Sequence, residues 1–380
     1  MDRAEPALIA SEYPAKVRRA RGRLKCRSTF RIVRSRGPCL SLAALFLLHA
    51  VGGAQTHADP FAFFSPPLAV SRDDIARLDG GKTLVRTLPR DDGEIAIVAI
   101  VAVRSDGARL AEWVRHIAAL KKSSYVHAIA RFSDPPRLED LATLTLDDDD
   151  LDALRQCRPD NCALKLSASE IDTLHRAVST NRAASNPLLQ AAFRRLMLMR
   201  VETYLATGQE GLPRDVSEHA SAVPTDALAS IVTHSGFLRA RLPALADSLE
   251  HYPMVRAPRA ESFLYWSQED LAGRTIVSVT HVNILHFDDP GFPEVLVTGK
   301  QVFESRYLNG ALNVTAIVRS ESGARHYLVY INRSSVDVLD RWYGGLARLV
   351  IERRITGEAA GVLQGLRDRL DAGPPPQPPA

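Results

Sequence analysis

Cysteine is scarce in this chain. Of four in 380 residues, Cys26 and Cys39 fall in the first forty and only Cys157 and Cys162 lie beyond. A disulfide-dense scaffold is excluded, and zinc finds no support because no second Cys or His pair stands at ligand spacing. Also missing are G-x-S-x-G, H-E-x-x-H, a P-loop, G-x-G-x-x-G, an EF-hand loop and C-x-x-C-H. Their absence counts against hydrolase, zincin and nucleotide-enzyme readings, although an enzyme without a local signature stays open. No repeat of fixed period is present. The one low-complexity segment is the tail from Pro374, within 373–380, expected to be disordered or an extended tether.

What the chain has in excess at its start is positive charge. Residues 1–38 carry eleven Lys or Arg against three acids, and then run into the apolar stretch Cys39–Val51 and the small residues Gly52, Gly53 and Ala54. A basic region, a short apolar core and a small-x-small site form the order of a secretory signal, and the core is short for a membrane span. We expect a leader over 1–54 cleaved after Ala54; an uncleaved anchor is the alternative. Without it, 37 basic and 41 acidic residues remain. The mature chain is then mildly acidic, which argues against nucleic-acid binding; the local pairs Arg194-Arg195 and Arg353-Arg354 are expected on solvated helix faces.

The remainder is large enough for a real core. Lys82–Leu88 and EIAIVAIVAV (Glu94–Val103) predict strands, the second buried on both faces. Leu110, Trp113, Val114, Ile117 and Leu120 recur at helical spacing, and Tyr125–Phe132 returns to a strand. From Leu138 to about Tyr252 the pattern is helical: Ser167-x-x-Glu170 reads as a capping box, Asn186-Pro187 opens a long helix and Gly208 stops it, with shorter helices at Thr225–His234 and Pro243–Tyr252. After Glu261 come five strand-like runs joined by short turns, which argues for an antiparallel meander. One long helix over Asp340–Asp371 closes the chain, with Leu346, Val350, Ile355, Ala359, Val362, Leu366 and Leu370 on or near one face.

This element order resembles the helix-grip proteins, the START-like and polyketide-cyclase superfamily. The strings CRPDNCALKLSASEI, SVTHVNI, GKQVF and YLVYINRSSVDVL are also similar to a group of secreted bacterial proteins of unknown function. The resemblance implies an α+β fold over 55–372, an antiparallel sheet wrapped around the C-terminal helix, with a cavity between them for a lipid or other apolar small molecule and no cofactor. It covers 85–130 and 261–371; the helical block at 138–255 is a departure, larger than that family usually carries.

Alternation along VSVTHVNIL places His281 and Asn283 on one strand face with Val277, Val279 and Leu285. We expect these two to orient a ligand's polar head group, together with Tyr265, Lys300 and Tyr307; a hydrogen-bonded core histidine is the plain alternative. Trp342, Gly344 and Gly345 open the last helix, where two glycines cost about 1 kcal/mol each. Either close backbone approach to sheet or ligand, or a joint between a turn and the helix, would explain them. A cyclase- or hydratase-type enzyme using His281 with Lys300 or Tyr307, aided by Glu304, Tyr265 and His326, is a second reading. An envelope interaction protein, with membrane-surface contact, is a third. The acidic run Asp147–Asp150 suits either a calcium site or the first turn of a helix. In an oxidising compartment the default for Cys157 and Cys162 is a disulfide clipping the turn after that helix, ahead of a redox pair or a metal half-site.

Overall fold

The computed structural model describes residues 59–376 apart from 160, 180–184, 216–223, 272, 321–322 and 341–343. The expected leader lies outside them. In chain order the elements are α1 (Arg72–Asp79), β1 (Leu84–Thr87), β2 (Glu94–Val103), α2 (Gly107–Arg115), α3 (Ile117–Leu120), β3 (Val126–Arg131), α4 (Asp148–Gln156), α5 (Ala168–Ser179), α6 (Ser185–Thr207), α7 (Pro224–His234), α8 (Gly236–Arg241), α9 (Pro243–His251), β4 (Glu261–Leu271), β5 (Arg274–His286), β6 (Val295–Glu304), β7 (Leu308–Arg319), β8 (His326–Val336) and α10 (Gly344–Ala372). The fold is α+β. Eight strands form one antiparallel sheet in the order β1-β2-β8-β7-β6-β5-β4-β3, with β4 to β8 the expected meander.

Strand alternation gives the sheet two apolar faces, and different helices bury each. On one face Val98, Leu312, Val314 and Val329 pack against α7–α9, while Leu264, Trp266, Val277 and Val279 pack against α4–α6. The helical block is thus a coat over a single sheet face. On the opposite face Ile97, Val282, Ile284, Val297 and Leu328 meet α2 and α10. Within α10 the packed stripe runs through Ala359, Leu363 and Leu370, which are buried, and Ile351, Ile355 and Leu366, which are partly so; Val350 and Val362, expected on it, are exposed. The stripe follows i, i+4 steps from Ile351, which leave both valines to one side.

Local chemistry sets the boundaries. Ser167 and Glu170 exchange the two bonds of a capping box ahead of α5. Gly208, at φ 75°, ends α6. Asp147 caps α4, its Oδ1 accepting from the Asp150 amide at 2.7 Å; Asp150 itself pairs with Arg306 and Asp149 with Arg274. The acidic run therefore serves a helix start. Cys157 and Cys162 form a disulfide, with Arg158 and Asn161 bridged inside its loop, and both half-cystines are buried under α4–α6. The chain predicted as one helix over 110–120 is two, broken at His116. After α10 the Gly373 carbonyl accepts from the Trp113 indole at 2.9 Å and Pro375 is buried.

Candidate functional site

His281 and Asn283 share a face with Val277 and Val279, as alternation requires, and Lys300 joins them because it is the cross-strand partner of His281 on β6. That face lies beneath the helical block. His281 is 3% exposed, with both ring nitrogens engaged: Nδ1 with the Tyr204 hydroxyl at 2.8 Å and Nε2 with Ser262 Oγ at 2.5 Å. The Tyr252 ring stacks on Tyr204 and meets the imidazole edge-on at 4.5 Å. Lys300, 1% exposed, donates to the Leu249 carbonyl at 2.8 Å and lies 5.1 Å from the centre of the Tyr204 ring. Burial, then the charges of Lys300 and Arg256, pushes His281 down to about 3. Burial likewise lowers Lys300 to about 7, with Glu250 opposing. Asn283 donates to Thr298 at 3.4 Å.

The other expected partners of His281 go elsewhere. Tyr265 points to the opposite face, because the β4–β5 register pairs His281 with Leu264 and Tyr265 with Thr280. A bulge between β5 and β6, where Thr280 faces Gln301 but Val279 faces Phe303, shifts the alternation, so Glu304 does not follow Lys300. Glu304 instead accepts the backbone N–H groups of Arg306, Tyr307 and Leu308 at 2.9, 2.6 and 2.6 Å. Tyr307 sits in that turn, and His326 contacts Glu294 at 3.1 Å. Gly344 forms a joint: a Cβ there would run into the backbone of Leu339, in the turn before α10, whereas Gly345 has open space. Trp342 lies outside the described residues.

A second group of polar side chains, most of which alternation alone did not single out, occupies the α10 face. In a sheet covered on both sides, residues of central strands should be dry, and on the helical-block side they are. On the α10 side Gly299 and Gln301 of β6, Asn313 and Thr315 of β7, and Tyr330 and Asn332 of β8 are only half-buried. Solvent reaches the middle of the sheet there. The row is preorganised: Tyr330 donates to Asn313 Oδ1 at 2.8 Å, Asn332 donates to the same oxygen at 2.7 Å, and Ser334 donates to Asn332 at 3.1 Å. Toward β4, Lys121 from the end of α3 pairs with Glu269 and lies 5.4 Å from the centre of the Tyr265 ring. Ser267 donates to Glu269 at 2.5 Å and bonds Ser278 at 3.1 Å.

No family model, curated protein or solved structure matches the chain. The half-buried row on the α10 side, with Lys121 and Glu269 beyond it, forms a trough. Burial works to lower Lys121, but Tyr265 and Glu269 outweigh it and hold the amine charged. Burial raises the Tyr330 phenol to about 12, so it is a neutral donor at physiological pH. The arrangement offers a fixed cation–carboxylate pair, hydroxyls and amides above a floor that turns apolar toward Val282, Val297 and Leu328. That combination suits an amphipathic small molecule, held by apolar burial and oriented by a few polar groups.

Proposed function

We propose that this protein is a secreted helix-grip protein that binds an amphipathic small molecule on the α10 face of its sheet, without a cofactor. The half-buried polar row across β6, β7 and β8 supports the reading, because it leaves Asn313, Tyr330 and Asn332 within reach of solvent in the middle of a sheet whose other face is sealed. Topology supports it. A helix pair, α2 and α3, separates β2 from β3 at opposite ends of a seven-strand order β2-β8-β7-β6-β5-β4-β3, and a long helix follows the last strand. Edge strand β1 and the block α4–α9 are additions to that plan. The buried disulfide and the expected leader support passage through an oxidising compartment such as the periplasm.

The test uses 1-anilinonaphthalene-8-sulfonate, which pairs an apolar ring system with a charged group. We expect saturable binding by the full mature chain, abolished by Thr315→Trp, which fills the trough at the centre of β7. Small molecules extracted from protein purified from its native host should include an amphipathic compound absent from the Thr315→Trp preparation. Failure of the probe to saturate together with an empty extract, or binding unchanged in a folded Thr315→Trp variant, would sink the proposal.

A further inference from the structure

The outward side of α10 is an apolar and charged helix face that packs against no other described element. Helical period sets Val350, Arg354, Gly357, Gly361, Gly365 and Asp368 in one line, opposite the packed stripe through Ala359, Leu363 and Leu370. Leu349, Val350 and Val362 are each more than half exposed along this side. A Cβ built on any of the three glycines would meet nothing within 4 Å. The fold of the chain therefore gives no reason for them. Glycine is a poor helix former, and alanine would serve better at each position if the face met only water. What glycine permits there is the close approach of another helix.

The charges on the line say which helix. Measured from Gly361, the line is symmetric in size and reversed in charge: Gly357 and Gly365 stand four residues to either side, Arg354 and Asp368 seven. Arg354 and Asp368 are about 21 Å apart along α10, too far to pair within one chain. Each has an exposed local partner instead, Glu358 at 3.0 Å and Arg367 at 2.7 Å, and exposed pairs of this kind contribute little. Arg353, also exposed, has no ion pair among the described residues.

A second α10 laid against the first in the opposite direction, Gly361 on Gly361, satisfies the whole pattern. Each Arg354 then faces the Asp368 of the other copy, with Arg353 alongside, and each Gly357 faces a Gly365. Both halves of the contact are identical, as a two-fold axis requires. Opposed helix dipoles favour the same direction, whereas a parallel pair would set Arg354 beside Arg354. A membrane surface or an unrelated protein has no use for a charge pattern that reverses about a midpoint.

We infer that the protein forms a two-fold dimer through the outward face of α10, with the two helices antiparallel and crossing at Gly361. The contact is one helix wide, so the dimer is weak and depends on concentration. It lies on the side of α10 turned away from the sheet and stands apart from the ligand reading. Sedimentation equilibrium of the full mature chain, from about 5 to 500 μM, should show monomer and dimer in exchange, with the dimer weakened by salt. Gly361→Leu fills the crossing point while favouring the helix, and should stay folded and monomeric over the same range. Arg354→Asp and Asp368→Arg each set like charges face to face and should weaken the dimer about tenfold or more. Combining the two exchanges restores opposite charges and should recover most of the affinity. A monomer at every concentration overturns the inference. So does a dimer that survives in folded Gly361→Leu, or one that the combined exchange fails to recover. Co-sedimentation with vesicles of phosphatidylglycerol and phosphatidylcholine in place of self-association would give the face to a membrane surface and overturn it as well.

Discussion

Leu312 and Asn313 are neighbours on β7, yet one is 1% exposed against the helical block and the other is half-buried in the polar row on the α10 side of the sheet. The two faces of this sheet have been put to different uses. The block face is sealed: its central residues are largely aliphatic, and polar ones among them, such as His281, Asn283, Lys300 and Arg333, are closed off by specific partners. The α10 face is sealed at one end, around Val297, Ile317 and Leu328, and wet at the other. Helices α4–α9 are what permits this. By taking over the burial of one face they relieve α10 of having to cover the whole of the other, so part of the sheet can stay open without the fold losing its core.

The largest effect expected from that contrast comes from truncating the neighbours in parallel. Leu312→Ala should cost about 2–5 kcal/mol, since it opens a cavity in a dry layer. Asn313→Ala should cost about 1 kcal/mol, because water can reach Tyr330 and Asn332 when their shared acceptor is gone. Urea denaturation of the two variants decides it, and equal losses would mean that the α10 face is as tightly sealed as the other.

Next in size is Lys300, which tests whether the polar residues of the block face belong to a dry interior. Its folded pKa, about 7, lies below the ordinary 10.5 of the unfolded chain. Between those values the unfolded state binds the extra proton, so stability should rise with pH from about 7 to 10.5, and the cost of burying the charged amine is fully present below 7. Lys300→Met should flatten that rise. At pH 6 the variant should be as stable as the wild type or more so, by up to about 4 kcal/mol. A rise that persists unchanged in Lys300→Met would show that Lys300 is not its source.

The disulfide is expected to matter somewhat less. It closes only a short loop, so chain-entropy reasoning gives about 2 kcal/mol for replacing Cys157 and Cys162 together by alanine. Unreduced protein should show no reactive thiol at either position, and labelling of both would remove the bridge and the main support for an oxidising compartment. The loss should appear in the block-face half of the molecule, as faster amide exchange in α4 and α5 with the trough strands β7 and β8 unaffected.

Much of this was legible in the sequence because period and punctuation are local. Turn signals gave five strands and their antiparallel order, Ser167 and Glu170 announced their helix, and alternation put His281 and Asn283 on one face. What alternation cannot say is which layer will lie on that face. His281 and Asn283 read as candidate ligand fixers, but the structure sets them beneath a helical block that begins 143 residues earlier in the chain. Register is equally non-local: a pairing of His281 with Leu264 sends Tyr265 to the far side, and the bulge at Val302 undoes the parity that linked Lys300 to Glu304. The polar row itself was present in plain view as Asn313, Thr315, Tyr330 and Asn332. The apolar residues between them drew attention to the strands and away from their alternate positions.

Tyr330 gives the smallest change in stability and the finest test of the comparison. Its hydroxyl donates to Asn313 Oδ1, in a region water can enter, and with its pKa raised to about 12 it stays protonated under all ordinary conditions. Tyr330→Phe therefore removes one neutral hydrogen bond and keeps the ring, with an expected cost below about 1 kcal/mol. The same deletion on the block face, Tyr204→Phe, strands the Nδ1 of a buried histidine and should cost about 1–3 kcal/mol. For the amphipathic probe the order should reverse: Tyr330→Phe weakens it severalfold and Tyr204→Phe leaves it unchanged. If both tyrosines shift stability alike and neither shifts probe binding, the trough is simply an unfinished part of the core, and the division of labour between the two faces fails.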